Sequence, residues 1–322
     1  MMTSRALRVA AAVLVYAGVG LSLAERSDAS PEGVASRSVT APRADRLVWA
    51  ASGTGLRNLH VRSSRTDGTR VRQVYDNARG FTMRLVPSPN GRRVAFVTCC
   101  RDDLPLLVVA PTSGGPHLAP LEDHPELEAA DGIGWSFDGR SLAFTAIVQE
   151  GEQRIASLWT IRLDGSDLQH VLTLGDVLGE DAPSLLDTVV WTDEGILFSN
   201  VGKLMLAHDG TSSPVMGGVW SVSSSADGRR LVLLRGTRWR HEVWLSRADG
   251  SGATKVAQWR LREPTTYVEV AANHDGSRLL ALRSDGYSYS PESAWVAWDV
   301  RKGLRSAEVL PVPDDTSVLA WH

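Results

Sequence analysis

WSFDGRSLAF, residues 135–144, is one of five copies of a single pattern. The others are PSPNGRRVAF at 87–96, SSADGRRLVL at 224–233, ANHDGSRLLA at 272–281 and the shortened WTDEGILF at 191–198. After each glycine the apolar residues return at every second position: Val94 and Phe96, Leu142 and Phe144, Leu231 and Leu233, Leu279 and Ala281. Two residues before the Trp135 column stand Leu85, Ile133, Val189, Val222, Val270 and Leu319. A period of two marks a strand with one face buried. Two such strands on either side of Asp-Gly or Asn-Gly form a hairpin, because glycine takes the positive φ of the turn at no steric cost.

A second glycine turn follows each hairpin: RTDGT (65–69), TSGG (112–115), RLDGS (162–166), AHDGT (207–211), RADGS (247–251) and VRKG (300–303). An apolar strand precedes each, and a short strand follows most. The unit is therefore four antiparallel strands, A to D, with tight turns at A–B and C–D. Repeats of about 40–50 residues built this way are propeller blades. The first copy, RLVWAASG (46–53), enters at strand B, and SVLAWH (317–322) is a strand A with no partner after it. The two fragments complete one blade. The expected fold is all-β: a six-bladed propeller of four-stranded antiparallel blades over 46–322, closed by pairing the C-terminal strand A with the N-terminal strands B to D. Closure hides edge strands that would otherwise recruit other chains.

WSFDGRSLAF followed by LWTIRLDGSDLQHVL resembles the WD40-like repeat of TolB-type propellers, across essentially the whole of 46–322. The resemblance implies an envelope-associated or periplasmic protein. Its repeated residues build turns and blade packing, so it speaks to fold far more than to function. TolB carries an extra N-terminal α/β domain, and residues 26–44 are too short to hold one.

Residues 1–24 read as a signal peptide: Arg5 and Arg8, an uncharged run from Val9, then Ser22-Leu23-Ala24. Cleavage after Ala24 and retention as an uncleaved anchor are both open. Residues 25–45 are expected to form a flexible linker. The body is expected outside the cytoplasm, secreted or periplasmic and monomeric, with membrane contact only through an uncleaved N-terminal segment.

Composition narrows the chemistry. The net charge of −3 supplies no basic field for nucleic acid. There is no G-x-S-x-G elbow, H-E-x-x-H or C-x-x-C, and the eight histidines scatter without metal-ligand spacing, so no cofactor or metal is expected. Cys99 and Cys100 adjoin on one strand. They are either two small residues ending that strand or a vicinal disulfide, which an oxidising compartment favours.

In such a meander the A–B and C–D turns share one end of the strands, here the turn face. The B–C and D–A connections share the other, here the loop face. The second set is long and varied, and recognition usually sits on loops of that kind. Its acids concentrate on blades two to four, among them Glu126, Glu128, Asp131, Glu180, Asp181 and Asp187, opposed mainly by Arg154. Blades five and six offer Arg238, Trp239, Arg240, Trp259 and Arg262. Asp131 and Asp187 stand four residues before the Trp column, at the expected channel mouth, and Trp220 holds that place in blade five. The expected function is a non-catalytic module binding a protein or cell-wall component on the loop face. The alternative is an extracytoplasmic carbohydrate-active enzyme, a lyase or hydrolase, with its site at the channel.

Overall fold

The computed structural model describes residues 46–321 except 54–56, 78–81, 83, 102–103, 178–187, 201, 226–227, 238–239, 261–265, 274, 285–293 and 314–315. The signal peptide and linker of the sequence reading lie outside these residues. Among the described residues no helix is long and apolar enough to cross a membrane.

The strands follow the repeat. Blade one holds β1 (Arg46–Gly53), β2 (Arg57–Arg65) and β3 (Arg72–Asn77); blade two holds β4 (Val86–Pro87), β5 (Arg93–Arg101) and β6 (Leu104–Pro111). Blade three holds β7 (Leu127–Trp135), β8 (Ser141–Glu150), β9 (Gln153–Arg162) and β10 (Gln169–Asp176). Blade four holds β11 (Val189–Thr192), β12 (Gly195–Asn200), β13 (Lys203–His208) and β14 (Thr211–Gly217). Blade five holds β15 (Val219–Ser224), β16 (Arg230–Thr237), β17 (Arg240–Arg247) and β18 (Thr254–Arg260). Blade six holds β19 (Thr266–Ala272), β20 (Arg278–Ser284), β21 (Ala294–Asp299) and β22 (Glu308–Val309). The last strand, β23 (Thr316–Trp321), returns to blade one and pairs with β1, Leu47 opposite Trp321 and Trp49 opposite Leu319. The inner strands β4, β7, β11, β15, β19 and β23 touch in that order and then meet again, so the ring is closed.

Blade two is the thinnest. Its sheet has three strands, and the fourth position is reduced to a bridge between Val109 and Leu118. Pro116 and Pro120 flank Leu118, and neither has an N–H to extend a ladder.

Each repeat turn satisfies itself. In the Trp135 copy, Ser136 Oγ donates to Asp138 at 2.8 Å, and Asp138 accepts the Arg140 N–H at 3.0 Å. Gly139 lies at φ +65° and donates to the Ser136 carbonyl. The alternation then sends Leu142 and Phe144 inward, both with no exposed surface. The column of Leu85, Ile133, Val189, Val222, Val270 and Leu319 is buried throughout.

The apolar core is six wedges, one at each blade interface. One polar or close backbone link accompanies each wedge. Ser63 Oγ donates to the Thr112 carbonyl between blades one and two, and Trp135 Nε1 to the Val86 carbonyl at 2.7 Å between two and three. Gly134 lets blade three approach blade four so closely that a Cβ there would lie 2.8 Å from the Val189 carbonyl oxygen. The Val222 N–H donates to Thr188 Oγ1 at 2.6 Å between four and five, and Ser223 Oγ to the Val270 carbonyl between five and six. Trp295 Nε1 donates to the Thr316 carbonyl and fastens blade six to the closing strand.

Turns of non-adjacent blades also meet. The ring of Phe137, in the A–B turn of blade three, packs on Gly228 in the A–B turn of blade five. Blade four lies between them in the ring, so Phe137 reaches across the turn-face mouth of the channel.

Candidate functional site

The two faces differ in what their side chains have left to offer. On the turn face several acids are held by their own turns. Thr69 Oγ1 donates to Asp67, and Ser166 Oγ to Asp164, each at 2.6 Å. These hydroxyls, joined by the backbone N–H groups of the same residues, hold both carboxyls below their ordinary range. The Ser251 hydroxyl does the same to Asp249.

At the loop face the inner strands depart from regular pairing. The register of β7 against β8 shifts between Ala129 and Ile133, that of β15 against β16 between Val219 and Ser221, and that of β19 against β20 between Val268 and Ala271. Such bulges bend a strand and re-aim side chains, and they recur at sheet edges and near sites. Asp131 and Trp220 fall inside two of them. The Gly132 N–H, next to Asp131, is received by the buried Thr145 hydroxyl at 3.1 Å, as a buried donor outside the ladder requires. Only the backbone of Asp131 is described. Trp220 is 48% exposed, and its indole N–H donates to the Gly236 carbonyl at 3.2 Å. Gly236 has φ +153°, and a Cβ there would sit 2.0 Å from the Arg240 carbonyl oxygen, so only glycine lets the chain present that acceptor.

Of the acidic sector, Glu128 is paired with Arg154 and Glu126 is exposed, its carboxylate 3.5 Å from His124 Nδ1. Asp187, Glu180 and Asp181 lie outside the described residues, as do Arg238, Trp239 and Arg262. Cys99 and Cys100 belong to β5, and their side chains are likewise outside the description. Trp259 is not on the loop surface. It is 3% exposed in the wedge between blades five and six, because β18 alternates and its neighbours Gln258 and Arg260 take the outward positions.

Arg240 is exposed and belongs to a network that its neighbours complete. Arg240 and Lys255 both hold Glu242, at 2.8 and 3.3 Å, and both donate to Gln258 Oε1. Trp244 Nε1 donates to the other Glu242 oxygen at 2.9 Å. Burial alone would raise the Glu242 carboxyl, but these donors outweigh it and hold the group below its ordinary value. Arg235 lies opposite Glu242 in the ladder, stacks 5.0 Å over the Trp244 ring and donates to the Gly217 carbonyl. Arg240, Glu242 and Trp244 alternate along β17. That spacing alone would have placed them on one face.

No protein-family model matches the chain, and no curated protein matches it. Solved structures do. TolB from Acinetobacter baumannii superposes with a TM-score of 0.62 at 14% identity, over 86% of this chain and 66% of that one. A nidogen/laminin complex gives 0.57 at 13% identity, over 86% of this chain and 98% of the matched one. An oligogalacturonate lyase in complex with manganese gives 0.54 at 13% identity, over 78% and 70%. The chain is thus an all-β, six-bladed propeller with a TolB-like fold. At these identities the likeness is one of fold.

Proposed function

We propose that this protein is an exported, non-catalytic binding module of the cell envelope, and that a protein segment or wall component docks on its B–C and D–A loop face. The observation that carries this reading is the contrast between the faces. Turn-face acids such as Asp67 and Asp164 accept hydrogen bonds from their own turns. The loop face holds a half-exposed tryptophan, Trp220, in a bulge of an inner strand beside charged side chains. Exposed aromatic and arginine side chains on a rigid scaffold are the residue types that dominate protein interfaces.

The test is affinity capture from envelope extract with two variants. One replaces Glu126, Glu128, Asp131, Glu180, Asp181 and Asp187 by Asn or Gln. The other alters Arg70, Arg92, Arg140 and Arg229 on the turn face. The loop-face variant is expected to lose the partner and the turn-face variant to keep it. The reverse outcome would turn the molecule upside down.

A second reading, a carbohydrate-active enzyme working from the channel, rests on the fold shared with the oligogalacturonate lyase. Among the described residues no group of three or more His, Cys, Asp or Glu is placed to hold a metal. Release of unsaturated product from oligogalacturonate in the presence of manganese would establish the enzyme over the binding module.

A further inference from the structure

One face of blade five carries a charge imbalance among the described residues. Arg235, Arg240, Glu242, Gln258 and Arg260 share that face: Arg235 stands opposite Glu242, Glu242 opposite Gln258, and Arg240 opposite Arg260. Lys255 reaches the same carboxylate. Four cations thus share the face with one described carboxylate, Glu242, and two of them, Arg240 and Lys255, hold it. Like charges directly opposite each other in a ladder destabilise it, and here two guanidinium groups, both exposed, hold that relation. Among the described residues, the side chains that could relieve it are already used. Glu242 is shared by Arg240, Lys255 and the Trp244 indole, and Gln258 offers only a neutral oxygen. Arg260 has no ion-pair partner among the described residues.

Aromatic surface lies beside the cations. Trp220 is anchored to the carbonyl of Gly236, the residue after Arg235. The nearby backbone is bare: a Cβ built on Gly217, whose carbonyl Arg235 holds, would meet nothing within 4 Å. The cations stand on β16, β17 and β18, three neighbouring strands that span about 10 Å, roughly the length of three extended residues.

We propose that this face of blade five binds an extended acidic segment of a protein partner, its carboxylates taken by Arg240, Lys255 and Arg260 and a neighbouring side chain laid on Trp220. Guanidinium forks match carboxylates two bonds at a time, and a Trp beside Arg is the composition of an interface anchor. The inference deepens the loop-face reading by naming the chemistry its blade-five sector takes, the acidic sector of blades two to four being left to a basic segment of the same partner. It rests on that reading only for the claim that the partner is a protein.

The test uses the full-length protein and a fluorescein-labelled hexaglutamate peptide ending in tryptophan, followed by anisotropy at low and moderate salt. The triple variant R240Q/K255Q/R260Q is expected to weaken binding about tenfold at low salt, and W220A to weaken it further when combined. A matched triple variant on the turn face, R92Q/R140Q/R301Q, is expected to leave binding within about twofold, since it removes the same formal charge elsewhere. Thermal melts of all variants check folding. Absence of peptide binding, or equal losses in the two triple variants, overturns the proposal. So does an oligogalacturonate probe that binds through the same residues where the peptide does not, which would make the ligand an acidic saccharide. If the peptide binds as expected but no partner is captured from envelope extract, the acidic-segment site stands and the envelope-module reading falls.

Discussion

Phe137 and Gly228 lie in turns of blades three and five, yet the ring of one covers the α-carbon of the other; a Cβ on Gly228 would lie 2.1 Å from Phe137 Cε1. The contact narrows the turn-face mouth of the channel. It also makes Gly228 answerable to two constraints at once, since its φ is +69°.

Substituting Gly228 by Ala should therefore destabilise the ring for two separable reasons. The left-handed backbone costs about 1 kcal/mol. Phe137 is 37% exposed and can swing aside, so the steric cost sits at the low end of overpacking, about 1 kcal/mol. In a double-mutant cycle by urea unfolding, Phe137→Ala should recover the steric half and leave the backbone half. Complete additivity of the two substitutions would mean that the ring and the glycine do not meet.

Deleting residues 315–322 should cost far more than trimming a terminus usually does. Leu319 and Trp321 are 4% and 3% exposed, and burial of each side chain contributes about 1.5–3 kcal/mol. The cut also removes the acceptor of the Trp295 indole and leaves an edge of β1 unpaired. A truncated protein that melts within a few degrees of the intact one would refute the closure.

Replacing Trp135 by Phe keeps most of the apolar ring and removes the bond to the Val86 carbonyl. The expected loss is about 1–2 kcal/mol in equilibrium unfolding, the range for a net hydrogen bond and an acceptor left without its donor.

His241 gives stability a dependence on pH. Burial beside Trp259 lowers its pKa below the ordinary 6.5, and among the described residues its Nδ1 has no hydrogen-bond partner. The unfolded chain then binds the proton more readily than the folded one. The histidine imposes no penalty above about 6.5, and stability falls as pH drops below that value until the folded group also titrates. In His241→Phe the slope of unfolding free energy between pH 7 and 5 should flatten. An unchanged slope would assign it to other groups.

The fold was legible because the sequence pattern and the structure obey the same alternation. Gly139 and Gly276 lie in turns, and the residues four and six positions beyond Asp138 and Asp275 are buried as the period demands. The closing strand was legible because Leu319 and Trp321 occupy repeat columns. The site was less so. Glu128 and Arg154 sit 26 residues apart on β7 and β9 of one blade, with β8 between them, and their opposition could be read from the loops. The blade-five network joins Arg235, Glu242 and Lys255 from three strands, and ladder register is not written in any one of them. Trp259 was misplaced for a simpler reason: a tryptophan among arginines looks like surface until the period of two is extended through β18. Phe137 offered no signal at all, because nothing local marks a side chain that touches a blade two places away.

The closing sheet also sets an order of events in time. β1 is among the first parts of the propeller to leave the ribosome, and its partner β23 is the last. While the blades between β1 and β23 are being made, the first blade holds a strand whose neighbour does not yet exist. Contacts this distant in sequence pay loop-closure entropy before they return any stability, and they slow folding accordingly. The final ring should therefore form only once β23 has been made, and until then an exposed apolar strand edge needs protection from other chains.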